Sequence, residues 1–466
     1  DVYKRQELDD SDYVEAIVKD TLAKKKQALF FMSTRKNAEN LAKKLAPIVS
    51  KTLFPKEKLS LQNLSEKVLN VLEQPTEQCK LLASLVEKGV AFHHAGLLAK
   101  QRELIEEAFR ESKLKVLTAT PTLAAGVNLP AFRVVIPSLY RYTEYGMQRI
   151  PVREYKQQAG RAGRPKYDST GEAIIVARSE PEKEELWNSY VEGIPEDISS
   201  ALAYWPVLRT QTLAAIASHF IFDYASLEEF FSKTFYCKQY GRLSSLIERI
   251  HEIIDELIDY GFVEERSNKL LATALGKRVA ELYLDPASAN AMIKCLKQEL
   301  TELGCLYCIA DTTEFSPWLN VSRNKESGLW NELLTREREL PIDVSRQQFF
   351  DEHLLEKFYS ALMLKDWINE KSEQDIMESY SVQPGILHSK LQICDWLAYA
   401  ASELAKLIDA KENAIKMRKM RKRLKHGVKE ELLSLVELRH IGRVRARRLY
   451  RAGIRSVSDL KKVDIK

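Results

Sequence analysis

The chain has 466 residues, of which 45% are hydrophobic and 29% are charged, and its formal net charge is +5. This length predicts more than one domain, and the composition is that of a soluble globular protein with no apolar run long enough to cross a bilayer. No secretory signal is present and the six cysteines are dispersed, so we expect a cytoplasmic protein rather than a secreted, disulfide-rich one.

The first part of the chain, residues 1–185, alternates strand-like and helix-like segments. Short apolar runs lie at 28–32, 90–93, 115–119, 133–136 and 172–177, and helix-period segments lie between the first of them at 35–48, 77–88 and 99–109. This alternation predicts a parallel α/β sheet. In such sheets ligands bind beyond the carboxyl ends of the strands, so function should be sought in the loops that follow them.

Those loops carry hydroxyl, amide and small residues. Ser33, Thr34 and Arg35 follow the first apolar run, and Phe92-His-His-Ala-Gly-Leu97 ends the second. The third is followed by a segment that holds Thr118, Thr120, Gly126 and Asn128. Backbone N–H groups and short hydroxyl side chains at strand ends can hold phosphates, so these loops are candidate phosphate contacts.

Residues 138–150 are rich in β-forming residues around a Glu144-Tyr145-Gly146 turn and predict a hairpin. Tyr142 and Tyr145, near its tip, could stack on a base at a duplex junction. Tyrosines that pack on the sheet are an equally good interpretation.

The segment Gln157-Gln-Ala-Gly-Arg-Ala-Gly-Arg164 is the strongest motif. Gly160 and Gly163 allow close approach of a ligand, and Arg161 and Arg164 are spaced to project from one face toward a phosphate. Such arginines neutralise charge on a leaving γ-phosphate and can come from a different domain than the phosphate-binding loop. We therefore expect both guanidinium groups to lie open at the rim of the sheet. A solvated Arg/Gly loop is the alternative.

From about residue 180 the strand–helix alternation stops. Three amphipathic segments, 208–220, 227–234 and 243–260, and a hairpin with a turn at Ser267-Asn268 predict a winged helix over 195–285. Its wing carries Glu264 and Glu265, which argues against DNA binding there. Cys305 and Cys308 have metal-ligand spacing, but no second ligand pair follows and apolar residues surround them, so we expect buried helix cysteines and no metal.

Residues 286–428 predict a helical bundle. Between 385 and 410 an apolar stripe leaves Trp396 well away from the core face, so this tryptophan either binds a partner or packs between helices. Residues 411–466 contain 19 Lys and Arg against six Asp and Glu, a net charge of +13. Arg443, Arg445, Arg447 and Arg448, beside a glycine hairpin, predict sequence-independent DNA binding by residues 429–466. A solvated charged helix is the alternative.

Taken together, these segments resemble motifs IV, IVa, V and VI of superfamily-two helicases, and GVNLPA and QQAGRAGRP resemble the Ski-two-like group. The order of the motifs and the C-terminal domains is similar to that of archaeal DNA helicases related to the polymerase-theta helicase. The resemblance covers nearly all of the chain. It implies a RecA-like parallel sheet domain followed by mostly α domains: a winged helix, a helical ratchet bundle and a helix-hairpin-helix that ends inside the domain.

The resemblance also implies roles for single residues. Gln157, Arg161 and Arg164 would face ATP, and the nucleotide contacts would be Gly126, Asn128, Gly160 and Gly163. The DNA contacts would be Ser33, Thr34, Arg35, His94, Thr118, Thr120, the hairpin tyrosines and Trp396. The family has arginines before this tryptophan, where this chain has His388 and Ser389, which leaves Lys390 as the nearest cation.

No GxxxxGK[S/T] phosphate loop occurs in the sequence. We expect ATP and Mg²⁺ to be held by a further RecA-like domain, and this chain alone to bind single-stranded and forked DNA without turning over ATP. Unwinding in the 3′-to-5′ direction, a monomeric state and replication or repair proteins as partners follow from the resemblance. An RNA helicase and an ATP-independent nucleic-acid-binding scaffold are the alternatives.

Overall fold

The computed structural model describes residues 12–143, 146–164, 168–241 and 243–460. The chain divides into two compact units, one comprising Asp1–Asp197 and Val382–Leu387 and the other Ile198–Ser381 and His388–Lys466. Across the described ranges, no helix has the length and apolar character that a membrane span requires.

The first unit is built on a parallel sheet of five strands in the order β2-β3-β1-β4-β7, with a separate two-stranded hairpin, β5-β6. The strands are β1 (Ala28–Phe31), β2 (Val90–His93), β3 (Val116–Ala119), β4 (Arg133–Ile136), β5 (Tyr140–Thr143), β6 (Gly146–Arg149) and β7 (Glu172–Ile175). The helices are α1 (Tyr13–Ala23), α2 (Arg35–Ser50), α3 (Pro55–Leu69), α4 (Glu77–Val86), α5 (Ala99–Arg110), α6 (Thr122–Gly126), α7 (Val152–Ala159) and α8 (Glu180–Leu186). The predicted parallel α/β fold is confirmed.

Strand register brings the predicted loops to one edge of this sheet. Phe31 and His93 both pair with Ala119, so β1, β2 and β3 end level with one another. Every residue of these three strands is buried, as expected for a parallel sheet covered on both faces. The segments that follow the three strands therefore emerge side by side.

The second unit is mostly helical. Its helices are α9 (Trp205–Ala217), α10 (Tyr224–Ser232), α11 (Phe235–Tyr240), α12 (Leu243–Asp259), α13 (Ala274–Glu281), α14 (Pro286–Leu296), α15 (Glu302–Ala310), α16 (Arg323–Thr335), α17 (Val344–Gln347), α18 (Leu354–Ile368), α19 (Glu373–Tyr380), α20 (Pro384–Leu407, whose first turn belongs to the first unit), α21 (Lys411–His426), α22 (Leu433–Val436), α23 (Arg443–Arg451) and α24 (Val457–Leu460). The hairpin β8 (Val263–Arg266) and β9 (Lys269–Ala272) turns at Ser267 and Asn268, both with positive φ, where the sequence placed it.

Two buried features stabilise the second unit. Arg209 donates two hydrogen bonds to the Asp285 carboxylate, at 2.7 and 2.8 Å, and a third to Glu256 at 2.9 Å, so this buried guanidinium is fully paired. Cys305 and Cys308 are buried within α15, which confirms that they are helix cysteines. Burial raises the pKa of the Cys305 thiol to about 12, so it stays protonated at neutral pH.

Candidate nucleic-acid and nucleotide interface

A cavity of about 580 Å³ lies at the carboxyl edge of the sheet in the first unit. The loops that follow β1, β2, β3 and β4 contribute to its walls, together with the hairpin and α7. Four of the residues predicted to contact DNA line this cavity: Ser33, Thr34, Arg35 and Thr120. Lys36, Thr122 and Arg141 also line it, and sequence reasoning did not single them out.

Thr34 is exposed and also ends a helix. Its side-chain oxygen caps α2 by accepting a hydrogen bond from the backbone N–H of Asn37 at 3.1 Å, and the Asn37 amide donates to the Ser33 hydroxyl at 3.3 Å. Ser33, Thr34 and Arg35 are all exposed. These contacts fix the loop at the positive end of a 16-residue helix, where an anion is favoured.

His94 is fully buried, which corrects the prediction that its side chain touches DNA. The backbone N–H of Gly96 donates to His94 Nδ1 at 3.1 Å, so Nε2 carries the hydrogen and donates to Glu39 at 3.2 Å. Burial alone would raise the pKa of Glu39, but hydrogen bonds from His94 and Gln78 hold it below its usual value. His94 therefore shapes the loop that follows β2 from inside the fold.

Thr118 is also buried, so its predicted contact with DNA is corrected as well. Its hydroxyl donates to the carbonyl oxygen of Ala38 at 2.8 Å and so ties β3 to α2. Thr120, two residues on, lies at the cavity wall, and its hydroxyl oxygen is 3.0 Å from that of Thr122. The difference follows from position, because Thr118 lies within β3, which is covered on both faces, whereas Thr120 lies in the loop that follows the strand.

The predicted hairpin is confirmed, with Tyr140 opposite Arg149 and Thr143 opposite Gly146. Tyr145 lies outside the described residues, and of Tyr142 only the backbone is described, so base stacking by these tyrosines stays a prediction. At the base of the hairpin Arg149 donates to Glu185 at 2.6 Å, and Arg141 donates to Glu154 of α7 at 2.7 Å.

The two arginines of the GRAGR segment have different environments. Arg161 is partly exposed and donates to the side-chain oxygen of Asn128 at 3.3 Å and to the carbonyl oxygen of Ala124. Both acceptors lie in the segment between β3 and β4 that includes the exposed Gly126. Arg161 thus contacts the segment that holds Gly126 and Asn128, and Gln157 is exposed. Nucleotide binding by these residues stays a prediction.

Arg164, in contrast, is held by a buried carboxylate. It donates to Asp168, whose side chain is 1% exposed, at 2.8 Å, and to Gln27 and Ser112 at 2.7 and 3.0 Å. Hydrogen bonds from Arg164 and then Lys26 lower the pKa of Asp168 to about 2. Gln27 and Ser112 precede β1 and β3, so Arg164 points toward the amino ends of these strands. The expectation that both guanidinium groups lie open at the carboxyl edge does not hold for Arg164.

Gly160 and Gly163 of this segment lie close to neighbouring backbone atoms. Gly163 has φ +87°, and a Cβ there would lie 3.3 Å from the Cα of Gly171. A Cβ on Gly171 would lie 2.2 Å from the Gly163 nitrogen. A Cβ on Gly160 would meet the Lys156 carbonyl oxygen at 3.1 Å, whereas one on Gly126 would meet nothing within 4 Å. Gly163 is thus required by its conformation and packing, and Gly126 leaves open space.

The apolar stripe predicted between 385 and 410 is buried at Leu387 in the first unit and at Leu391, Cys394, Ala398, Ala401 and Ala405 in the second, and its last member, Ile408, is partly buried. Trp396 lies off this stripe and is partly buried, and its indole N–H donates to the carbonyl oxygen of Leu282 at 2.9 Å. Lys390 is 7% exposed and donates to the carbonyl oxygens of Phe315 and Pro317 at 3.0 and 2.6 Å. The prediction that Lys390 contacts DNA is corrected, because its ammonium group is buried inside the unit.

The arginines of α23 also separate into two groups. Arg443 donates to the Glu373 carboxylate and lies over the Trp367 ring, and Arg447 donates to Glu370 and Glu431. These two hold α23 to the rest of the unit, which corrects their assignment as DNA contacts. Arg445, which donates to the carbonyl oxygen of His440, and Arg448 are exposed, as the prediction requires.

Comparison with known proteins agrees with this organisation. A family model described as helicase conserved C-terminal domain matches residues 53–166, and one described as archaeal helicase, domain 4, matches residues 303–427. The chain is 37% identical over 452 residues to a Pyrococcus horikoshii protein named ATP-dependent DNA helicase Hel308, and 38% identical over 464 residues to one of the same name from Methanocella arvoryzae. A third, from Caldivirga maquilingensis, is 38% identical over 480 residues.

These matches cover 96%, 97% and 96% of this chain, and 62%, 62% and 61% of the respective relatives. The chain therefore spans about three fifths of the length of the curated relatives that it matches. Over that length the chain is similar to the Ski-two-like helicases of superfamily two. Within that class it is a homologue of the archaeal proteins named Hel308.

Proposed function

We propose that this chain is the DNA-translocating C-terminal part of an ATP-dependent DNA helicase. It would move 3′ to 5′ along single-stranded DNA and unwind forked duplexes in replication-linked repair, acting in the cytoplasm as a monomer that meets replication or repair proteins. The name of its relatives supports the ATP-dependent, DNA-directed activity.

The cavity at the carboxyl edge of the sheet is the observation that carries this proposal. Hydroxyl and cationic side chains that follow two neighbouring strands, β1 and β3, line it: Ser33, Thr34, Arg35, Lys36, Thr120 and Thr122. Such groups bind phosphate oxygens and position a strand without reading its sequence. A motor that moves along any DNA sequence needs this kind of contact.

ATP would meet the chain at Arg161. This guanidinium is held by neutral oxygens of Asn128 and Ala124. It keeps its charge for a phosphate, and a Cβ on Gly126, which lies in the same segment as Ala124 and Asn128, would meet nothing within 4 Å. These residues suit the charge of a terminal phosphate, but they include no cradle for the other phosphates or for Mg²⁺. We therefore assign the cradle to another domain, and we expect these 466 residues alone to bind DNA without hydrolysing ATP.

Fluorescence anisotropy with a labelled single strand tests the proposal. We expect the chain to bind DNA of any sequence, with an affinity that falls as salt rises, and a variant with Arg35→Ala and Lys36→Ala to bind several-fold more weakly because phosphate contacts are lost. If the variant and the parent bind with equal affinity, the cavity is not the DNA-binding site. Much tighter binding of an RNA strand of the same sequence would favour an RNA helicase instead.

A further inference from the structure

Gln383 belongs to the first unit although it lies far along the chain, in the segment Val382–Leu387. Its side-chain oxygen accepts a hydrogen bond from Nη1 of Arg35 at 3.2 Å. Arg35 is one of the cationic groups at the cavity wall, 348 residues earlier in the sequence. Within the described ranges, Gln383 supplies the hydrogen-bond partner of this guanidinium.

Two glycines make room for this contact. A Cβ on Gly96 would lie 1.9 Å from the Gln383 side-chain oxygen, so any other residue at position 96 would displace the amide. The backbone N–H of Gly385 donates to the carbonyl oxygen of Gly96 at 2.9 Å. A Cβ on Gly385 would lie 2.1 Å from the carbonyl oxygen of Leu97. The two backbones thus approach each other as closely as only glycine permits.

The acceptor on Arg35 is an amide, and this choice has an electrostatic consequence. A carboxylate in the same place would neutralise the guanidinium and compete with a phosphate for its N–H groups. A neutral amide oxygen fixes the orientation of the guanidinium group and leaves the charge and the remaining N–H groups of the guanidinium available. The contact is therefore suited to hold an arginine ready for an anionic ligand.

We propose that Gln383 is a positioning residue for the DNA site: it holds the Arg35 guanidinium at the cavity wall, in the orientation from which Arg35 meets a backbone phosphate. This inference rests on the proposed function, because it presumes that Arg35 contacts DNA.

The test measures binding of a labelled single strand to the chain at several salt concentrations. We expect Arg35→Ala to weaken binding and to reduce the salt slope by about 0.7, the value for one lost phosphate contact on a single strand. Gln383→Ala should raise Kd about 3- to 10-fold, and the double variant should bind no worse than Arg35→Ala alone, because the two residues act as a unit. Gly96→Ala should reproduce Gln383→Ala.

Gln383→Glu distinguishes positioning from a merely structural role. It keeps the hydrogen bond to Arg35 but adds a negative charge, so we expect an unchanged melting temperature and DNA binding at least as weak as that of Gln383→Ala. Gln62→Ala, at an exposed position of α3, is the matched control and should leave Kd unchanged.

The outcomes separate the two proposals. If Arg35→Ala leaves Kd and the salt slope unchanged, Arg35 does not contact phosphate and the proposed site itself is wrong at this position. If Arg35→Ala weakens binding but Gln383→Ala and Gln383→Glu do not, or if the double variant is additive, the positioning role of Gln383 is overturned and the proposed site stands.

Discussion

Two arginine-rich segments, the GRAGR loop at residues 160–164 and helix α23, each contain arginines in two different environments. In the loop, Arg164 binds the buried carboxylate of Asp168, whereas the acceptors of Arg161 among the described residues are neutral oxygens. In α23, Arg443 binds a carboxylate and Arg448 is exposed. Each segment thus contains an arginine that stabilises its own unit and another that remains accessible to an anion.

The difference shows what decides the role of an arginine. Both segments are rich in arginine and have a net positive charge. The deciding feature is a carboxylate within reach, because a paired guanidinium has its charge neutralised inside the fold, while one held by carbonyl or amide oxygens does not. Stability and ligand response, measured for the same variants, separate the two classes.

The largest effect is expected for Arg161→Ala in a helicase that also contains the phosphate-binding domain. Arginines that neutralise the γ-phosphate contribute about 10³-fold or more to turnover, so the steady-state ATPase rate should fall by about that factor. The melting temperature should stay close to that of the parent, because the partners of Arg161 are neutral. An unchanged ATPase rate would contradict the assignment of this arginine to ATP.

Arg164→Ala should instead destabilise the first unit. Removing Arg164 leaves Lys26 as the cationic partner of Asp168, so the cost is smaller than for a buried charge with no partner. The free energy of unfolding should fall by about 2–3 kcal/mol, measured by urea denaturation. Arg178→Ala, at an exposed position on the same unit, is the control and should change it little. A variant that keeps full stability and loses ATPase would restore the sequence-based prediction that Arg164 faces ATP.

The pairing of Asp168 predicts how stability depends on pH. The pKa of this carboxyl is about 2 in the folded chain against an ordinary value of 3.8, so its contribution is present above about pH 4 and is lost as pH falls toward 2. After allowance for solvent screening, this contribution should be about 1–2 kcal/mol. The stability difference between the parent and Asp168→Asn should be constant from about pH 5 to 7 and shrink below about pH 4. A difference that persists at about pH 2 would argue against the ion pair.

The smallest effect is expected in α23. Arg448→Ala should weaken binding of single-stranded DNA about 2- to 4-fold at low salt and leave stability unchanged, because it removes one exposed cation. Arg443→Ala is the matched comparison and should lower the melting temperature, since it breaks the contacts with Glu373 and Trp367. If the two variants lose the same affinity and keep the same stability, the distinction between Arg443 as a structural residue and Arg448 as a DNA contact is wrong.

Periodicity predicted the strands closely, since all five apolar runs became strands of the sheet and the paired strands of both hairpins lie where expected. It missed α3, which buries few apolar residues on a charged helix, and the short α11. It also could not show which polar side chains point inward. His94 is hydrogen-bonded to Glu39, and Thr118 to the carbonyl oxygen of Ala38. Lys390 donates to the carbonyl oxygens of residues 315 and 317. None of these partners is a neighbour in sequence.

Thr34 has one more consequence. Capping uses a lone pair of its hydroxyl oxygen, so the hydroxyl hydrogen remains available to be donated outward. A single atom thereby closes a helix and offers a hydrogen bond to whatever lies in the cavity. Valine at this position would remove the cap and the outward hydrogen bond together, whereas aspartate would keep the cap and remove only the donated hydrogen. Comparing the two substitutions therefore separates the stability of α2 from the hydrogen bond offered to the cavity.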